Sequence, residues 1–470
     1  MSKRWLCIPT LFLGGVLALP AAAQQTAVPA DQPAATPAAA PAAAPAATPA
    51  AQPQDASAPA AAPAAPTWSA GPIDFSGTID GYYGFNFNHP IALSGSGGSN
   101  AGQVNYLYNF NTPANQFSLN MVKLGMSHSA DPVGFEFDLM YGNTDAAIPS
   151  SPGFDQYVEN AYVTFKPMKA KGFEMDFGKF VTTAGAEVIE SYSNWNYSRS
   201  LLFAWAIPYY HFGLRTSWPM GKHWTGGFQL VNGWNNTLDN NSGKTVGLNL
   251  AAAYAKWGWV IDWYGGPENT GTNQGWRNLY DTTLTLTPSS KVSAYINYDY
   301  GINHIYNGSF PDNTLVKYQG AAVAMKIQAT SKWAFTPRVE FFDDPDGFAM
   351  QGASVFSDHD PVAQQVKEIT LTGEYKFLEG LMWRGEYRYD WSNKPFFLVG
   401  AECSSPPLCA DRKKTSVRSY RRQRQKALLL CMRSLPVDVN KLSVVVSSAR
   451  TAGKTGRVDK KLFDVPSVVR

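Results

Sequence analysis

The chain has 470 residues, 44% hydrophobic and only 16% charged, with 40 Gly, 32 Pro, 26 Phe, 23 Tyr and 14 Trp. Gly, Pro and aromatics are poor helix formers, and beyond the N-terminus no apolar run approaches the ~18 residues of a membrane helix, so a helical membrane protein is excluded. The net charge of +3 sums unlike parts: residues 401–470 carry 16 Lys and Arg against 5 Asp and Glu, the first 400 carry 23 against 31, and the basic total is no sign of a nucleic-acid partner.

Lys3 and Arg4, the apolar stretch Trp5–Leu19 and Ala21-Ala22-Ala23 form the three regions of a secretory signal peptide, residues 1–23. Fifteen apolar residues are short for an uncleaved anchor, the alternative reading. Residues 24–67 hold 21 Ala and 10 Pro. Proline breaks any helix that alanine favours and no apolar face exists to bury, so this is a disordered linker. Cys7 is the only cysteine before Cys403, as suits an exported domain without disulfides.

At Ile73 the pattern becomes strict alternation. Phe75, Gly77, Ile79, Gly81, Tyr83, Phe85 and Phe87 share one face, and Asp74, Ser76, Thr78, Asp80, Asn86 and Asn88 the other. Period two over fifteen residues is a strand whose faces meet different solvents. Fifteen such strands are expected, at 73–88, 116–128, 133–143, 155–166, 172–181, 210–218, 223–234, 243–254, 256–265, 276–287, 291–301, 316–328, 332–343, 366–377 and 381–391. In the last, Arg384, Glu386, Arg388 and Asp390 alternate with Trp383, Tyr387, Tyr389 and Trp391. Four successive same-side charges would be intolerable in a sandwich core. A transmembrane antiparallel up-and-down β-barrel of about 16 strands, lipid outside and water inside, accommodates them. Tight turns such as 129–132, 219–222 and 288–290 alternate with long loops at 89–115, 182–209, 302–315 and 344–365. Short turns are periplasmic in such barrels, which puts the N-terminus and its linker in the periplasm and the barrel, residues 68–397, in a Gram-negative outer membrane.

Three stretches resemble a known family. They are Gly178-Lys179-Phe180 through Gly185-Ala186-Glu187 with Asn194 to Ser198-Arg199-Ser200, then Val231-Asn232-Gly233-Trp234, then Arg338-Val339-Glu340-Phe341-Phe342-Asp343 with Asp346-Gly347. The chain is similar here, over about residues 73–397, to the OmpL-like β-barrel porins called porin-2. The resemblance implies an outer-membrane barrel acting as a passive pore. It also implies, as in sixteen-strand porins, a third outer loop, here 182–209, folded into the lumen. That loop carries Glu187, Glu190 and Arg199, which would face wall residues Arg338, Arg384 and Arg388 and form a transverse field orienting small polar solutes. An ordinary solvated outer loop is the alternative. The wall charges Arg338, Glu340, Arg384, Glu386, Arg388 and Asp390 can also neutralise one another across paired strands. Trp195 and Tyr197 offer rings on which a sugar could stack.

No catalytic constellation, metal site or cofactor is expected. The six histidines are scattered without metal-ligand spacing. Asp343, Asp344, Asp346 and Gly347 lack the downstream glutamate of an EF-hand, and Ser94–Ser99 matches no phosphate-binding fingerprint. The expected function is passive diffusion of small hydrophilic solutes, with a solute-specific channel or a barrel-anchored adhesin as alternatives. The expected partners are outer-membrane lipid and lipopolysaccharide, small polar solutes, the barrel assembly machinery and, in a homo-oligomer, further copies of the chain.

The pattern breaks near Phe397. A bacterial barrel needs an even strand number, yet no alternating, aromatic-terminated strand follows Trp391. Composition, charge sign and cysteine usage change together over 398–470, as a shifted reading frame would produce; an appended basic tail is the alternative. Lys441–Ser448 is the candidate substitute for the closing strand, which is otherwise missing or altered.

Overall fold

The fifteen segments with period-two alternation form fifteen antiparallel strands, each paired with the next in sequence. A computed structural model describes residues 68–88, 90, 104–129, 132–149, 153–170, 172–306, 310–350, 362–378, 380–394 and 396–397, with 424–434 as a backbone strand. By contacts the chain divides into Met1–Pro49 and Ala50–Arg470, and every described residue belongs to the second unit. The expected signal peptide, the linker, Ser94–Ser99 and the tail apart from 424–434, Lys441–Ser448 included, lie outside the described residues.

A short strand that the alternation did not announce, β1 (Trp68–Ala70), pairs with β2 (Ile73–Asn86). There follow β3 (Gln116–His128), β4 (Val133–Tyr141), β5 (Val158–Phe165), β6 (Glu174–Val181), β7 (Tyr210–Pro219), β8 (Trp224–Val231) and β9 (Thr245–Ala253). The ladder continues through β10 (Trp257–Pro267), β11 (Trp276–Ser289), β12 (Val292–Ile305), β13 (Thr314–Gln328), β14 (Trp333–Asp344), β15 (Gln364–Leu378) and β16 (Leu381–Ser392). Expected 155–166 starts instead with a 3-10 turn, Phe154–Tyr157.

The fifteen strands do not close on themselves. Among the described residues β16 and β2 share no pairing, and the backbone of Arg424–Ser434 (β17) lies between them. It is antiparallel to β16 from Leu381 to Trp391 and to β2 from Ile79 to Asn86. The sixteenth position is thus taken by a tail segment other than Lys441–Ser448, the candidate substitute. Backbone pairing reads N–H and C=O groups, which every non-proline residue offers.

Alternation decides the two faces. On β16, Met382, Arg384, Glu386, Arg388, Asp390 and Ser392 are buried while the residues between them are half-exposed. Outside, Phe117, Leu124, Phe177, Leu248, Ile296, Val323, Phe335 and Ile369 are exposed. So much apolar exterior is a liability in water and a match for lipid.

The hydrophobic core sits on the inner side of the sheet. Two five-residue helices lie in loops, α1 (Asn143–Ala147) and α2 (Leu201–Trp205). Leu201, Leu202 and Phe203 of α2 pack with Tyr106, Leu107 and Phe110 of the first loop and with Tyr318 and Phe342 of the wall. Gly320 on β13 makes this seat available, since a Cβ there would stand 2.5 Å from Leu202 Cδ2.

Candidate functional site

Residues 182–209, between β6 and β7, turn inward. Thr182 closes the entry through its N–H to the Tyr209 carbonyl at 2.9 Å. Ser200 caps α2 by accepting the Phe203 N–H at 2.9 Å, satisfying a donor the helix leaves unpaired. Most of the loop residues between are buried, and from Ser191 to Leu201 many of their backbone groups meet side chains of β14 and β16.

Three wall arginines take loop carbonyls. Arg384 donates to Ser191 O and Asn194 O, both at 2.7 Å. Arg338 donates to Ser198 O at 2.8 Å, and Arg388 to Arg199 O at 2.7 Å. Wall carboxylates take loop N–H groups: Glu386 accepts from Tyr197 at 2.6 Å and Ser198 at 2.9 Å, and Glu340 from Leu201 at 2.6 Å. Asn196 donates to Thr372 Oγ1 at 2.7 Å. An irregular loop can be buried only if its backbone groups find such partners.

The expected charges come together here, as contacts rather than as facing rows. Glu187 accepts Arg338 Nη1 at 2.7 Å and the Ser200 N–H at 2.6 Å. Arg338, wholly buried, also lies 2.8 Å from Glu340 and 3.1 Å from Glu368. Arg388 pairs with Asp390 at 2.9 Å and lies 4.2 Å above the Tyr108 ring, while Arg384 pairs with Glu374 at 2.7 Å. Glu190 reaches other strands, meeting Lys123 of β3 at 2.5 Å beside Asp138 and Glu159. Arg199 donates to Ile189 O and lies 4.8 Å above the Phe110 ring. Burial pulls its guanidinium below the usual range, though arginine stays protonated in proteins.

Trp195 and Tyr197 are 4% and 1% exposed. Trp195 packs on Tyr295 with ring centroids 5.3 Å apart, and Tyr197 on Tyr82 at 5.8 Å. Both rings are spent on the wall, so neither presents the open face that sugar stacking requires.

Register exposes a feature the sequence reading missed. Glu340, Glu368 and Asp390 stand on one rung of β14, β15 and β16, and Arg338 and Arg388 compensate them. Asp262, Asp281 and Asp299 stand likewise on one rung of β10, β11 and β12. All three are buried, and among the described residues no Lys, Arg or His is ion-paired with them. Thr183 Oγ1 and Asn249 Nδ2 donate to Asp262 at 2.6 and 2.9 Å, Asn297 Nδ2 donates to Asp281 at 2.6 Å, and the carboxyls of Asp281 and Asp299 also meet each other. An inward-facing aspartate at the middle of each strand was the available signal, but only pairing register places the three side by side.

A long-stranded antiparallel barrel sheet, apolar outside and charged inside, with its 182–209 loop turned inward, defines a β-barrel porin of the bacterial outer membrane. The family described as "Putative beta-barrel porin-2, OmpL-like" matches residues 72–406, and the chain belongs to it. No curated protein matches the chain. Solved structures with a similar fold include the outer-membrane expressed OmpT of Vibrio cholerae, 12% identical over 78% of this chain and 99% of that one, TM-score 0.46. The outer membrane channel DcaP of Acinetobacter baumannii is 10% identical over 78% and 98%, TM-score 0.47. An anion-selective porin from Comamonas acidovorans is 9% identical over 77% and 98%, TM-score 0.48.

Proposed function

We propose that the protein is a diffusion porin for small hydrophilic solutes that favours cations, with the 182–209 loop as its constriction. The carrying observation is that loop's inward course, with Glu187, Glu190 and Arg199 bonded to wall and loop groups inside the barrel. A sixteen-position barrel is wide enough for an aqueous channel, and a loop held inside it narrows the section. The cation preference rests on the balance of charge. The arginines of β14–β16 are consumed by carboxylates and loop carbonyls, and one lysine serves three carboxylates at Lys123, which leaves a surplus of carboxylates there. In a medium less polar than bulk water such a surplus acts over several ångströms. We place lipid and lipopolysaccharide against the aromatic exterior, and assign export to a cleaved signal, insertion to the barrel assembly machinery and a homo-oligomeric state in the membrane.

Conductance of the purified protein in planar bilayers tests this. Ohmic channels with a cation-directed reversal potential in a KCl gradient are expected. Block by one defined solute would replace the reading with a specific channel, and absence of channels would leave the adhesin.

A further inference from the structure

The 182–209 loop reaches across the gap between β16 and β2 that β17 fills. Ser191 touches both strands that flank β17: its hydroxyl donates to Asp80 on β2, and its carbonyl accepts Arg384 Nη1 on β16 at 2.7 Å. Tyr197 repeats the arrangement, with its hydroxyl on Asp80 Oδ1 at 3.2 Å and its N–H on Glu386 of β16 at 2.6 Å. Asn120 of β3 braces Asp80 at 2.6 Å. These contacts lie over rungs that β17 crosses. Asp80 is in register with Arg433, Arg384 and Tyr82 with Cys431, and Glu386 and Gly84 with Leu429. Strands neighbour each other at about 4.8 Å, so β16 and β2 stand about 10 Å apart, one strand wide.

We infer that the lumen loop is a cross-brace holding a preformed one-strand slot between β16 and β2, and that the slot takes Arg424–Ser434 by backbone pairing. The inference rests on the outer-membrane barrel reading but not on conductance. Because the loop fixes the width of the gap, the occupying strand need not fix it through its own side chains. A run such as Ala427-Leu428-Leu429-Leu430-Cys431-Met432, apolar throughout and without alternation, then serves where the other fifteen strands are strictly patterned. Each unpaired backbone group facing lipid costs several kcal/mol, so an empty slot in a bilayer is not an option.

Amide hydrogen exchange on the full mature chain in lipid vesicles reads the pairing directly. Ser191→Ala with Tyr197→Phe removes the brace's hydrogen bonds to Asp80 on β2 and leaves both β16 contacts intact. Exchange in 424–434 and along the β2 and β16 edges should quicken at least tenfold. The control Thr183→Val breaks the loop's contact with Asp262, away from the slot, and should leave those segments unchanged. Unchanged exchange in the brace variant, or equal quickening in the control, overturns the inference. If the brace variant yields no SDS-resistant barrel, retention of that barrel by Thr183→Val supports the brace and its loss there refutes it. Bilayer recordings on the same samples keep the readings apart: a brace effect in a silent barrel defeats the diffusion porin alone, and normal channels without a brace effect defeat the brace alone.

Discussion

Arg338 is the side chain whose loss should cost most. It contacts Glu187, Glu340 and Glu368 and the Ser198 carbonyl, and it is wholly buried. Glu340 and Glu368 face each other in register, an arrangement that destabilises a sheet unless a cation lies between. Arg338→Met keeps the volume and length of the stem but leaves three carboxylates and a carbonyl facing an apolar group. Removing one partner of a buried pair costs about 3–5 kcal/mol, and with three carboxylates released the loss should reach the upper end of that range. Urea unfolding in lipid vesicles, followed by tryptophan fluorescence, measures it. Adding Glu187→Gln should recover part of the loss, since one stranded charge disappears, so the two changes should be non-additive by at least about 1 kcal/mol. Freed of its clamp, the loop should also make single-channel conductance larger and noisier. If Arg338→Met unfolds within about 1 kcal/mol of the parent, or if the two changes add, the clamp does not hold the loop and the wall charges merely neutralise one another.

Glu187→Gln with Glu190→Gln should lower the cation preference, read as a reversal potential moving toward zero under a KCl gradient, since each removes a carboxylate that the 182–209 loop carries into the barrel. An unmoved potential would remove that loop from the permeation path. At Gly178, φ is +140° and an added Cβ would lie 2.1 Å from Ala161 O across the β5–β6 pair, so Gly178→Ala should cost roughly 1–3 kcal/mol for the backbone conformation alone. A lower temperature for loss of the SDS-resistant band checks this, and wild-type behaviour would refute the strain.

The fifteen strands, their inward and outward faces and the unlike lengths of their connections follow from the sequence by itself. In a barrel each strand is read locally: period two needs only its own residues, and lipid on one side makes the contrast strong. That 182–209 turns inward was an expectation drawn from the family resemblance rather than from the residues by themselves. Register was not legible. That Asp262, Asp281 and Asp299 share a rung depends on turn lengths and bulges summed over three strands, and one slip of a residue would turn each carboxylate outward. The partners of Glu187 and Glu190 are equally non-local, 151 residues away at Arg338 and 67 at Lys123, because a loop crossing the interior meets strands its sequence position does not announce. Trp195 and Tyr197 read as open stacking rings until the wall residues Tyr295 and Tyr82 were placed against them. The sixteenth position is the plainest case: Lys441–Ser448 was the candidate substitute although it does not alternate, but the gap between β16 and β2 is filled through backbone groups that carry no sequence signature, and only the assembled sheet selects Arg424–Ser434.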